Sequence, residues 1–191
     1  MIVTGHHFIG LATIQSSPRR RRAVRVVSAQ APLAEIVLEL NEVRPAILSG
    51  YSLMHSVLAT EREAGRLQIS PLLVTNSGDV LEPGERERIE RAFEARIGDT
   101  YATAECPFIA HSCAHGWFHL NEDWVLVEPV DADDRPVPPG EPSAGVLISN
   151  LANRVQPTLR YRLGDEVLIQ PDPCPCGNTL RAMRLIGRRD A

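Results

Sequence analysis

The chain alternates between two hydrophobic periods, and its character changes about halfway along. In the first half, short β-branched or aliphatic runs are separated by longer stretches with apolar residues at helical spacing. Residues 23–28 (AVRVVS), 45–49 (PAILS) and 71–75 (PLLVT) predict strands. Residues 32–43 and 52–64 predict amphipathic helices, the second opened by Ser52 as a cap. Residues 83–97 (PGERERIERAFEARI) predict a third, highly charged helix with Ile89, Phe93 and Ile97 on one face. Strands alternating with helices imply right-handed crossovers and a parallel sheet. Ligands of such sheets sit beyond the carboxyl ends of the strands. That directs attention to Asn76-Ser77-Gly78-Asp79 after the third strand, and to residues 101–105 after a short run at 98–100.

In the second half, residues 124–130 (WVLVEPV), 145–149 (GVLIS), 166–170 (EVLIQ) and 181–186 predict strands separated by turns rich in proline and glycine. Residues 131–141 read as a turn region, and no helix intervenes, so this part should be antiparallel. There are no internal repeats. The expected fold class is α/β: a parallel sheet with flanking helices, followed by a small antiparallel β-barrel-like subdomain. The change of character places a boundary near residues 106–120, dividing the chain into an α/β part (1–105) and a β-rich part (106–191).

Composition narrows the function classes. With 191 residues and a hydrophobic share of 43%, the chain can build a core. A net charge of −4 does not favour nucleic acid or an acidic membrane surface. No apolar run approaches the ~20 residues of a membrane span. Residues 1–14 lack a basic start and contain His6-His7, a poor signal peptide, so a cytoplasmic protein is expected. The run Arg19 to Arg22 is extended only by Arg25 and has no interleaved aromatic residue. It reads as a solvated loop before a strand, with nucleic-acid binding the weakest alternative.

Several short stretches then recur in order: residues 45–51 (PAILSGY), 73–81 (LVTNSGDVL), 100–105 (TYATAE), 119–124 (HLNEDW) and Pro138-Pro139-Gly140-Glu141. After these come residues 159–165 (LRYRLGD), Cys174-Pro175-Cys176-Gly177 and Gly187-Arg188-Arg189-Asp190. As an ordered set, from about Arg25 to Asp190, they resemble the middle of a phenylacetate–CoA ligase, a member of the adenylate-forming superfamily. That resemblance implies a reaction in which ATP and a small carboxylic acid give an acyl-adenylate, captured by coenzyme A as a thioester. It also implies residue roles. Tyr101 matches the aromatic of a Tyr-Gly-x-Thr-Glu motif that stacks by adenine, and Glu105 matches the glutamate that holds Mg²⁺ near the phosphates. Asp165 matches the aspartate that binds both ribose hydroxyls of ATP or AMP. Ser77-Gly78-Asp79 matches the loop lining the adenine, Arg188 an arginine near ribose and phosphate, and Asp190 the hinge of the small C-terminal domain.

Residue chemistry fits these roles independently. A carboxylate accepts from two vicinal hydroxyls, as Asp165 would. A loop glutamate such as Glu105 suits a hard cation with its waters and phosphate oxygens, and a glycine at position 78 lets backbone approach a flat base. Each also has a plain structural reading: loop charge, turn former, core aromatic. Two departures stand out. Ala102 and Ala104 replace the motif's glycine and threonine, which should weaken the phosphate contact, although Thr103 is adjacent. No glycine-rich Ser/Thr loop followed by lysine occurs anywhere in the chain. The chain is therefore expected to be a ligase fragment that keeps nucleotide contacts and, without the phosphate loop or the C-terminal domain and its catalytic lysine, turns over little. His6-His7 fall where the acid-substrate wall lies in the family, or form a histidine pair at an edge. The sequence does not fix the acid or the oligomeric state, a homodimer included.

The cysteines raise a second theme. Cys174-Pro175-Cys176-Gly177 is a tight knuckle, and Cys113-Ala114-His115, with His119 four residues on, offers a thiolate and an imidazole. Together they can make a tetrahedral structural Zn²⁺ site, with His115 and His119 competing for the fourth position. The alternative is reduced thiols without metal. Cys106 reads as a buried thiol. A non-catalytic, zinc-stabilised interaction module derived from such a ligase is the rival to the nucleotide-binding reading.

Overall fold

The computed structural model describes residues 2–4, 24–78 and 81–189. His6-His7, the run Arg19 to Arg22, Asp79 and Asp190 lie outside the described residues. The chain divides into two compact units, Met1–Gly98 and Asp99–Ala191.

The first unit is a parallel sheet with helices between its strands. The elements are β1 (Ile2–Thr4), β2 (Val26–Ser28), α1 (Leu33–Val43), β3 (Ile47–Gly50), α2 (Ser52–Glu63), β4 (Leu73–Ser77) and α3 (Pro83–Phe93). The strands run parallel in the order β4-β3-β1-β2, with Ile47 opposite Leu73 and Gly50 opposite Asn76. The apolar positions of each helix fill one core: Ile36 and Leu40 from α1, Leu58 from α2, and Ile89 and Phe93 from α3, with Leu48 and Val74 from the strands. Burial of this stripe, rather than the intrinsic helix preference of a chain this short in each segment, holds the helices.

Two boundaries differ from the sequence expectation. Ser52 does not cap α2: Tyr51 is the cap residue, extended at φ −85° and ψ 155°, and Ser52 is already the first helical residue. The strand β3 leads straight into the helix, so the polar cap position falls one residue earlier, on a tyrosine. The third helix stops at Phe93 rather than Ile97. Glu94 turns left-handed (φ 52°), and Glu90 Oε1 accepts the Ile97 N–H at 3.1 Å, redirecting the chain into β5 (Arg96–Tyr101). Ile97 is buried as its helical spacing suggested, but on a strand.

The second unit is antiparallel throughout. It contains the end of β5, then β6 (Ala110–Ser112), β7 (Phe118–Leu120), β8 (Val125–Val130), β9 (Gly145–Asn150), β10 (Tyr161–Leu163), β11 (Asp165–Ile169) and β12 (Ala182–Arg188). One sheet runs β11-β12-β7-β6-β5 and a second, three-stranded one runs β10-β9-β8. Their inner faces share a core that includes Ile109, Leu120, Val125, Ile148, Val167 and Met183. Every residue of β9 is buried, as a near-continuous apolar strand between neighbours requires. The sheets are stitched where the Ser143 N–H donates to the Val167 carbonyl at 2.8 Å and the Val167 N–H donates back to Ser143 Oγ at 2.9 Å. The α/β class with a parallel sheet and a separate small antiparallel sheet is thus as expected. Among the described residues no helix is long and apolar enough to cross a membrane.

Candidate functional site

Asp165 opens β11, directly after Gly164, and pairs across the ladder with Arg188 of β12. Tyr101 ends β5, where its backbone carbonyl accepts the Ile109 N–H at 3.1 Å. These two strands bring a phenol to a carboxylate 64 positions away in sequence: Tyr101 Oη donates to Asp165 Oδ2 at 2.6 Å. Both residues are more than nine-tenths buried, at 8% and 9% exposure. Burial, reinforced by the adjacent Asp165 carboxylate, pushes the Tyr101 phenol far above the ordinary tyrosine range, so it remains a donor. Arg188 Nη1 lies 3.7 Å from Asp165 Oδ1 on an exposed side chain. This is a loose ion pair rather than a hydrogen bond.

Past Tyr101, the chain makes a reciprocal turn. The Thr103 N–H donates to the Cys106 carbonyl at 3.0 Å, and the Cys106 N–H donates to Thr103 Oγ1 at 3.2 Å. Ala104 is exposed and Glu105 half-buried at the tip of this turn. The Thr103 oxygen next to the expected threonine position therefore closes the turn. A residue the sequence did not single out holds the other side: Asn150 Nδ2 donates to the Glu105 carbonyl at 3.1 Å, while its Oδ1 accepts the Ala152 and Asn153 N–H groups. No spacing in the sequence marks Asn150, because its partners lie 45 residues away in one direction and two or three in the other.

In the first unit, Ser77 ends β4 and is half-buried, and Gly78 follows at φ +97°. A Cβ at Gly78 would come within 3.0 Å of the Tyr51 ring. The left-handed backbone and that close approach both require glycine. Asp79 lies outside the described residues.

The cysteine motifs converge on one point of the second unit. Cys113, His119, Cys174 and Cys176 place one ligand atom each, all within 4.8 Å of one another. Cys113 and His119 flank the hairpin of β6 and β7, and Cys174 and Cys176 lie on the β11–β12 connection, turned by Gly177 at φ +82°. His115, the other candidate from the sequence, is exposed and outside the cluster. His119 is buried instead because it lies on β7, opposite Ala182 of β12.

The donor set and its geometry fit zinc. Cys113 Sγ and Cys174 Sγ are 3.8 Å apart, and Cys176 Sγ is 3.2 Å from His119 Nε2. Zinc–sulfur bonds of about 2.3 Å in a tetrahedron separate their sulfurs by about 3.8 Å. His119 Nδ1 faces the Leu180 carbonyl at 3.1 Å, which assigns the ring proton to Nδ1 and leaves Nε2 as the ligand atom. Burial would push the Cys113 thiol up, but N–H groups of His115 and Trp117, then His119 and Cys174, bring it down to about 6. Cys174 has the favourable Cys176 N–H beside it, yet burial and its two thiol neighbours hold it above the usual range. The group gives up a first proton easily and a second with difficulty, and a divalent cation would relieve that cost. Cys106 is buried, its thiol pushed up by burial, and stands apart from the cluster.

The sequence matches no protein-family model and no curated protein. Solved structures do match. A 2-hydroxyisobutyryl-CoA ligase in its postadenylation state, in complex with R3-HIB-AMP, is 26% identical, with a TM-score of 0.77 over 99% of this chain. The chain spans 43% of that ligase. The chain has the fold of part of an acyl-CoA ligase. A benzoate CoA ligase from Burkholderia xenovorans LB400 gives a TM-score of 0.61 at 19% identity, covering 86% of this chain and 36% of that one. A luciferase-like enzyme from the mealworm Zophobas morio gives 0.74 at 12% identity, covering 98% and 49%.

Proposed function

We propose that this chain carries nucleotide contacts of an ATP-dependent acyl- or aryl-CoA ligase of the phenylacetate–CoA ligase type. In this reading the parent enzyme adenylates a small carboxylic acid and then transfers the acyl group to coenzyme A. The observation that carries the reading is the buried Asp165 carboxylate, fixed by Tyr101 at 2.6 Å at the head of β11. It occurs in a chain whose fold matches acyl-CoA ligases and whose sequence motifs resemble, in order, those of the phenylacetate–CoA ligase type. Asp165 accepts from the ribose hydroxyls of ATP or AMP, and the Tyr101 ring offers a face to the base. Arg188, exposed and 3.7 Å from Asp165, is free to turn toward the ribose and phosphate. Glu105, at the tip of the turn, contributes a carboxylate to Mg²⁺, which when bound neutralises phosphate charge. The Asn150 bond to its backbone keeps that tip in place.

Calorimetry with AMP tests this. We expect saturable binding that Asp165→Ala weakens by tenfold or more, on the order of a lost hydrogen bond to a charged group. Equal heats for both proteins, or none at saturating nucleotide, would sink the reading. A second reading is favoured by the complete cluster of three cysteines and one histidine. In it the chain is a zinc-stabilised binding module without nucleotide affinity. Zinc near one per chain together with no AMP heat selects that reading. Zinc with AMP heat leaves the ligase reading in place, with zinc as a structural tie.

A further inference from the structure

We propose that Tyr101 is a positioning residue for ribose recognition, acting through its hydroxyl on Asp165. The proposal rests on the nucleotide reading above. A carboxylate has about four acceptor directions on its two oxygens. The phenol takes one on Oδ2 at 2.6 Å, within the short range of a charge-assisted O–H···O⁻ bond. Arg188 at 3.7 Å is too far to take one on Oδ1. What remains is Oδ1 and the second lone pair of Oδ2, enough for two vicinal hydroxyls.

The anchors on both sides are rigid. Tyr101 is held by the β5–β6 pairing with Ala110 and Asp165 by the β11–β12 pairing with Arg188. The carboxylate torsion is therefore set before a ligand arrives, and a diol would not have to order it on binding. A phenylalanine would fill the same space and offer the same ring face but leave the carboxylate free to rotate. The phenol, kept protonated by burial and by Asp165, supplies this restraint across the whole physiological range.

The experiment compares AMP with 2′,3′-dideoxyadenosine monophosphate on the full chain by calorimetry. Four proteins are measured: the natural sequence, Tyr101→Phe, Asp165→Ala and the double Tyr101→Phe/Asp165→Ala. Tyr101→Phe should reduce the preference for AMP over the dideoxy nucleotide by roughly threefold to tenfold, the effect expected when one side chain must be ordered on binding. The loss should be larger for AMP than for the dideoxy nucleotide, which has no hydroxyls for Asp165 to meet. The double variant should bind AMP like Asp165→Ala alone, since the hydroxyl would have nothing left to position.

Three results would overturn the proposal. An unchanged AMP preference in Tyr101→Phe would do so while leaving the nucleotide reading intact. So would a double variant weaker than Asp165→Ala by the factor Tyr101→Phe shows alone, because the hydroxyl would then act independently of Asp165. Absence of AMP binding by the natural chain would overturn both readings together. If Tyr101→Phe does not fold because it strands a buried carboxylate, a double variant that binds AMP more weakly than Asp165→Ala still overturns the proposal, because the hydroxyl would then act without the carboxylate.

Discussion

The two compact units are held together by different chemistry. Among the described residues of Met1–Gly98, fifteen buried apolar residues form a single cluster, and the helices rest on the sheet through side-chain volume. Among its described residues only His55, Glu61 and Asn76 are buried polar groups. In Asp99–Ala191 the apolar cluster is smaller, and polar side chains with named partners tie loops to strands. Ser143 bonds Val167, Asn150 bonds the Glu105 carbonyl, Tyr101 bonds Asp165, and His119 bonds the Leu180 carbonyl among three cysteines. A volume-filled core tolerates exchange of one aliphatic for another. A unit pinned by individual bonds fails at a pin, because a buried partner left alone carries its full desolvation cost.

The strongest way to break that contrast is to remove metal. Both tryptophans, Trp117 and Trp124, lie in the second unit, and every described helix lies in the first. Fluorescence therefore reports one unit and ellipticity at helical wavelengths the other. Zinc near one per chain is expected, and binding of this kind contributes on the order of 10 kcal/mol in small zinc domains. A chelator, or Cys174→Ser, should abolish the native emission of Trp117, which sits 4.2 Å beneath the Arg184 guanidinium, while helical ellipticity persists. Unchanged emission after chelation would show that the cluster is not a pin. The complementary cut is Phe93→Ala in the first core, where the side chain is 1% exposed. It should cost about 3–5 kcal/mol and lower the helical melting transition, with little movement of the fluorescence transition. Equal shifts in both signals would mean the units unfold as one.

The same contrast governs what could be read from the sequence. From residue 23 to Phe93 the first unit's order of strands and helices followed from its periods, because its three helices are long enough to show one and set apart the apolar runs between them; the three-residue β1 was not foreseen. Its errors were at ends: Tyr51 took the cap expected of Ser52, and Glu94 stopped a helix whose spacing ran on to Ile97. In the second unit β6 and β10 have three residues each, too few to display alternation, and neither was foreseen as a strand; β7 was anticipated only as a strand beginning at His119. The Cys-x-Cys knuckle was legible as a half-site, but the choice of His119 over His115 was not. That choice depends on which histidine the β7–β12 pairing buries. Tyr101 and Asp165 were identified by resemblance, and the bond between them is a tertiary fact across 64 positions that no local pattern encodes.

The smallest effect separates a pinned phenol from an ordinary core aromatic. Tyr101 has its folded pKa raised, by burial first and Asp165 second, above the ordinary value of 10.0. A group raised in the folded state contributes stability below its unfolded pKa and loses it as pH rises beyond that value. The second unit should therefore weaken above about pH 10, with a slope approaching 1.4 kcal/mol per pH unit as the unfolded phenol ionises and the folded one does not. All twenty basic residues are arginines, so no lysine titrates in this window to obscure the effect. Denaturant midpoints followed by tryptophan fluorescence between pH 9 and 11 measure it. Tyr101→Phe, which has no phenol to ionise, should flatten the slope by that amount. If the variant and the natural chain decline in parallel, Tyr101 gives up its proton in the folded protein as readily as in the unfolded one. The Asp165 carboxylate would then be held by something other than the tyrosine hydroxyl.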